Sequence, residues 1–168
     1  MKNVRKMVLA SLFAALTAVC AWISIPIPPL AFTMQSFSVL LCYGLLGGKW
    51  GMVTMGLYLA LGITGLPVFS GFQGGAALLG PTGGFLWGFF LGGLAYLGFE
   101  KLGKLPAMAA AQIVCYGCGC LWFSRYAGNA GMWTAVLTCV VPYLVPDTAK
   151  LILAHTLAKR IGKRYMVK

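Results

Sequence analysis

The sequence predicts an all-α membrane protein: one domain, residues 1–168, folded as a bundle of six transmembrane helices with both termini cytoplasmic. Three observations carry that expectation. Hydrophobic residues make up 60% of the chain and charged residues 9%, where soluble domains hold about 25% charged residues. So few charges do not cover a water-soluble globule, and the abundance of apolar and aromatic residues excludes disorder. The apolar residues fall into six blocks, 7–25, 36–47, 50–65, 82–99, 105–124 and 131–158. Since a membrane helix takes roughly 20 residues, six spans nearly fill the chain and leave no room for an ATPase domain. Finally, the charges between blocks are one-sided. With the N-terminus inside, cytoplasmic segments hold Lys2, Arg5, Lys6, Lys49, Lys101, Lys104, Lys159, Arg160, Lys163, Arg164 and Lys168, 11 of the 13 basic residues, against Arg125 outside and Lys150 within a span. This is the positive-inside pattern, and it accounts for the net charge of +11 without a nucleic-acid partner.

The first block follows Lys2, Arg5 and Lys6 as a signal peptide would, but Thr17, Ala18 and Val19 make a poor cleavage site and five apolar blocks follow. It reads as a span. Ala10, Ala14 and Ala18 lie on one face of it, a small-residue stripe that lets helices approach closely in lipid. Packing within the chain and docking on another membrane subunit both fit that stripe. The connection Ser24 to Gln35 has no charge and contains Pro26, Pro28 and Pro29, so it is extended and stiff. The second block is short and needs neighbours to bury its ends.

Between the third and fourth blocks, Gly65 to Gly84 combines seven glycines (Gly65, Gly71, Gly74, Gly75, Gly80, Gly83, Gly84) with Leu66, Val68, Phe69, Phe72, Leu78 and Leu79. A solvated loop does not keep that many apolar residues. Non-helical backbone near a membrane is tolerated where it lines a cavity, so the segment reads as a lid over a ligand pocket, with a re-entrant plug as the plainer alternative. Gly84, Gly88 and Gly92 form a second small-residue stripe, read as packing within the monomer. Cys115, Cys118 and Cys120 in the fifth block have no His or carboxylate nearby and read as helix packing rather than a metal site. Cys20, Cys42 and Cys139 lie singly in apolar runs as small hydrophobes.

The sixth block carries Asp147 and Lys150 in VVPYLVPDTAKLILAH, three apart and so on one helix face. Pro146 suits the first turn of a helix, which would set Asp147 at a favourable N-terminal end. Counting from Lys159 at 1.5 Å per residue puts Lys150 about 14 Å and Asp147 about 18 Å deep, near the middle of a core about 30 Å thick. Ionisable residues there are expensive and point to function by default. Either the pair only fastens helices, or it greets an amphipathic ligand: Lys150 for a carboxylate, Asp147 for N–H donors, apolar walls for the hydrocarbon part. Enzyme readings fail. Ser70 belongs to the outer loop while His155 lies about 6 Å from the inner interface, and the glycine-rich loop lacks the Gly-Lys-Ser/Thr ending of a phosphate loop.

The runs FTMQSFSVLL (Phe32 to Leu41), GLYLALGITGLPVFSG (Gly56 to Gly71), GPTGGFLWGF (Gly80 to Phe89) and PDTAK (Pro146 to Lys150), in that order, resemble the BioY family, the biotin-binding S components of energy-coupling factor (ECF) vitamin transporters. The resemblance implies high-affinity biotin uptake by a six-helix bundle, with an outward-facing pocket closed by the loops after helices 1 and 3. Its Asp-x-x-Lys matches Asp147 and Lys150, and its Thr-x-Gln matches Thr33 and Gln35. The lid matches Phe69 to Gly75, including Gly71, Gln73, Gly74 and Gly75, and the entry to helix 4 matches Gly80 to Gly84 around Thr82. Ala10, Ala14 and Ala18 match the stripe that docks a transmembrane coupling subunit, which works with two cytoplasmic ATPases. The chain departs from the family pattern at Ala31, often Pro, and Pro146, often Gly. No cofactor and no metal are implied, biotin being cargo, and the location is the prokaryotic cell membrane. Two rivals fit the same residues: a solitary homo-oligomeric vitamin carrier, and a ligand-free structural or signalling subunit.

Overall fold

The computed structural model describes residues 2–27, 30–128 and 131–163. Pro28 and Pro29 of the proline-rich connection, and Arg164 and Lys168 of the basic C-terminal run, lie outside them. Six helices dominate: α1 (Lys2–Trp22), α2 (Gln35–Ile63), α3 (Gly83–Phe99), α4 (Lys104–Tyr126), α5 (Met132–Cys139) and α6 (Val141–Ile161). By length and composition α1 and α4 can each cross a membrane, as can α2 counted along its whole length, and α5 with α6, bent by 49°, makes a fourth such stretch.

These helices do not map one-to-one onto the six apolar blocks. The second and third blocks are both in α2, which is not straight. Gly47 adopts φ 78°, ψ 173° in its middle, a conformation that glycine reaches without a Cβ clash. The helix folds back there. The Gln35 carboxamide donates to the Tyr58 hydroxyl at 2.7 Å, although a straight helix would hold residues that far apart about 35 Å from each other. The Tyr43 ring likewise fills the space a side chain at Gly51 would take. The arms 35–46 and 48–63 are therefore antiparallel neighbours, and the short second block buries its ends against the third.

The proline-rich connection is extended, but it adds a feature foreign to a purely helical bundle. Strands β1 (Ser24–Ile27) and β2 (Leu30–Thr33) pair antiparallel, Ser24 opposite Thr33 and Ile27 opposite Leu30. In a two-stranded ribbon every strand is an edge, so Pro26 is tolerated.

Packing decides between the two readings of the alanine stripe. Ala10, Ala14 and Ala18 are 2%, 0% and 6% exposed, because α1 lies on α2 and Thr17 meets Ser38 there at 3.2 Å. The expected partner-docking stripe is thus consumed inside the molecule. The outward face of α1 is instead Val4, Val8, Leu12 and Val19, a surface suited to hydrocarbon. The glycine stripe also packs internally. A Cβ at Gly84 would strike Trp122, and one at Gly88 or Gly92 would come within 2.9 Å of the α4 backbone. The bundle then has two distinct ends. At one, the Gly47 turn sits beside Glu100 and Lys104 reaches the Gly44 carbonyl. The other gathers the β-ribbon and the glycine-rich segment, tied down by Trp22 Nε1–H to the Pro67 carbonyl (2.8 Å) and Trp122 Nε1–H to the Gly80 carbonyl (2.9 Å).

Candidate functional site

Inside the ribbon end lies a cavity of about 90 Å³, below the roughly 300–1,000 Å³ of typical small-molecule sites. Residues from β2, the start of α2, the glycine-rich segment, α3, α4, α5 and α6 line it. Asp147 and Lys150 stand in its wall, 7% and 6% exposed. Their side chains form an ion pair of 2.7 Å. The pair is clasped, and it borders a hollow: fastening and facing a cavity are combined in one site.

Local sequence explains the placement with one correction. α6 begins at Val141 with Pro142 in its first turn, and Pro146 lies inside the helix. Asp147 is therefore in the second turn rather than at the N-terminal end, and its stabilisation comes from side chains. Ser36 Oγ donates to Asp147 Oδ1 (3.1 Å), while Tyr116 Oη (2.7 Å) and Gln112 Nε2 (3.5 Å) donate to Oδ2. Lys150 Nζ directs its three donors to Asp147 Oδ1, the Thr33 carbonyl (2.6 Å) and Ser36 Oγ (3.2 Å). Its ammonium also lies 3.8 Å from the centroid of the Phe32 ring, a cation–π contact that gains strength when desolvated. Opposite charges, fully hydrogen-bonded, are the condition under which burial of an ion pair is tolerable.

Six of the ten expected binding residues line the cavity: Asp147, Lys150, Thr33, Gln35, Phe69 and Thr82. Thr33 Oγ1 accepts the Gln35 backbone N–H at 3.3 Å, so its carbonyl, not its hydroxyl, serves Lys150. Gln35 holds Tyr58, which in turn donates to the Val68 carbonyl (2.9 Å) and links the α2 hairpin to the lid. Gly71, Gln73, Gly74 and Gly75 are not in the cavity wall. They shape the lid. The Gln73 carbonyl accepts the Phe69 N–H at 2.9 Å, Gly71 takes φ 68°, and Gly74 and Gly75 lie so close to the backbone of Gly65 and Gly62 that a Cβ would approach it to 3.0 and 3.3 Å. Phe69, 1% exposed, seats its ring edge-on against Tyr58, centroids 5.2 Å apart.

Sequence reasoning missed Ser36, Gln112, Tyr116 and the aromatic wall of Phe32, Phe85, Phe89 and Tyr143. Gln112 and Tyr116 did carry a signal: polar groups four apart in an apolar span share a face. Ser70 lines this cavity and His155 a different one, so the two do not form a nucleophile–base pair. Among the described residues no group of His, Cys, Asp and Glu side chains could hold a metal.

Comparison with known proteins agrees from sequence and from structure. The profile of the BioY family matches residues 1–166. The "Biotin transporter BioY" of Thermotoga maritima is 39% identical over 165 residues, covering 95% of this chain and 96% of that one. The "Probable biotin transporter BioY" of Pyrococcus horikoshii is 39% identical over 155 residues, covering 91% and 93%. A crystal structure of the S-component for biotin from an ECF-type ABC transporter superimposes with a TM-score of 0.87 at 25% identity, over 96% of this chain and 93% of that chain.

Proposed function

From the premise that the chain belongs to the BioY family, we propose that it is the membrane-embedded subunit that captures biotin and passes it inward. It is a membrane transport protein rather than an enzyme. The observation that carries the reading is the Asp147–Lys150 pair, buried yet set in the wall of a capped cavity. Biotin has a carboxylate at one end and a cyclic urea with two N–H donors at the other, joined by hydrocarbon. Asp147 suits the urea N–H groups and Lys150 the carboxylate, while Phe69, Phe85 and Phe89 suit the apolar middle. Because Lys150 already has three acceptors, a ligand oxygen enters by displacing one of them, and Ser36 is the weakest at 3.2 Å.

In this reading the ribbon and lid face outward and the lysine-rich end faces the cytoplasm of a prokaryotic cell, as the positive-inside pattern requires. Energy comes from a transmembrane coupling subunit with two ATPases. That subunit docks on the outward face of α1 or on another lipid-facing surface, since the alanine stripe is buried. Titration of the purified protein with biotin, biotinamide, thiamine and riboflavin tests the proposal. Biotin should bind at least tenfold more tightly than its amide, as losing a charge-assisted hydrogen bond costs about 1.5–3 kcal/mol, and the other two vitamins should not compete. No preference for biotin overturns the substrate; equal binding of the amide overturns the role of Lys150.

A further inference from the structure

A second cavity, of about 570 Å³, opens at the opposite end of the bundle, between α2, α4 and α6. It lies about 12 Å along α4 from Gln112 at the helical rise of 1.5 Å per residue. Its polar side chains are Lys104, His155, Lys159 and Lys163, with no carboxylate among its lining residues. The chain has two acidic residues: Asp147 is committed to Lys150, and Glu100 sits at the Gly47 turn. Lys104 is held in place by donating to the Gly44 carbonyl at 2.9 Å, next to the break in α2, and its Nζ would lie 3.9 Å from a Cβ at Gly162. His155 Nδ1 is buried without a hydrogen-bond partner. Three lysines and His155 thus line a space that no carboxylate lines. The helices that frame it present exposed Leu105, Ile152, Leu153 and Ile161, a surface against which acyl chains lie.

We propose that this cavity binds the phosphate headgroup of an anionic phospholipid, with its acyl chains along the outer faces of α4 and α6. Basic pockets between membrane helices are the physical setting for such recognition. The apolar surround favours the lipid over free phosphate, which makes no use of it. Native mass spectrometry of the full chain, titrated with phosphatidylglycerol, phosphatidylcholine or inorganic phosphate, separates the cases. One phosphatidylglycerol should be retained about tenfold more tightly than phosphatidylcholine, and Lys159→Gln with Lys163→Gln should abolish that preference, each lysine near the surface being worth roughly fivefold. Both positions are exposed and remote from Asp147, so biotin binding by the same preparation should be unchanged and serves as the check on folding. Equal retention of the two lipids, or a preference unaltered in the double variant, overturns the site. Displacement of the lipid by millimolar inorganic phosphate overturns its assignment to lipid. Loss of biotin binding in the unaltered chain bears only on the cavity at the other end.

Discussion

The two halves of α6 carry the same kind of residue under opposite conditions. In the first, Lys150 is 6% exposed and each of its donors has an acceptor. In the second, Lys159 is exposed, as is Lys163 just past the helix end, and both line a cavity whose lining holds no carboxylate. The difference follows from solvent. A charge at the end of a membrane helix keeps its water, whereas one turned into the bundle must be neutralised by the protein. The neutralised half lines the cavity of the ribbon end, and the cation there is already engaged. In the proposed reading, biotin binding at Lys150 is therefore an exchange of partners, whereas a headgroup binding at Lys159 and Lys163 displaces no protein partner.

The sharpest way to break this contrast is to make the first half resemble the second. Asp147→Asn leaves Lys150 buried without a countercharge and should cost about 3–5 kcal/mol of stability, as should Lys150→Met in the converse sense. The double variant, with neither charge, should recover most of that loss and still fail to bind biotin. Thermal unfolding and biotin titration of the three proteins check both statements. Full recovery of binding in the double variant would reduce the pair to a fastener. Lys159→Gln, by contrast, belongs to the exposed class whose effects stay within about 0.5 kcal/mol.

A smaller effect tests how the carboxylate is shared. Tyr116→Phe removes the 2.7 Å hydrogen bond to Asp147 Oδ2, worth about 1.5–3 kcal/mol for a charged acceptor. If Tyr116 keeps that bond when biotin arrives, ligand-free and biotin-saturated proteins lose equal stability, and that is the expected result. A loss confined to the ligand-free protein would mean that biotin takes the place of the tyrosine.

How much of this was legible in the sequence depended on whether one chain segment or several determined it. The helical segments were legible because hydropathy is local, and so were the pair on α6 and the extended character of the proline-rich connection. The fold-back at Gly47 was implicit in the gap between the second and third blocks. The partners of the pair were not legible, because whether Ser36, Gln112 and Tyr116 turn inward depends on how α2 and α4 are rotated against α6. The alanine stripe failed for the same reason: small residues announce a close approach, not which helix makes it, and α2 is the neighbour. Pro146 misled because a proline in a first turn and one a turn later look alike until the true start at Val141 is known. The lid glycines satisfy backbone proximity to Gly62 and Gly65, which no spacing rule reveals.

The smallest expected change in stability is at the lid, where two opposing terms nearly cancel. Phe72 has φ 57°, a left-handed backbone that costs a side-chain-bearing residue roughly 1–2 kcal/mol. Its ring stacks on Trp22 with centroids 5.3 Å apart, and such a pair returns about 0.5–1.5 kcal/mol. Phe72→Gly removes both the strain and the stacking, so unfolding should shift by less than about 1 kcal/mol. The kinetics should respond more than the equilibrium. Trp22 also donates to the Pro67 carbonyl, so the end of α1 grips the lid at two points, and losing one should speed both entry and exit of biotin while leaving their ratio nearly fixed. Stopped-flow association and dissociation of biotin measure this directly. Unchanged rates would show that the lid does not limit access and that the cavity fills by another route, which would leave the strain at Phe72 without a role.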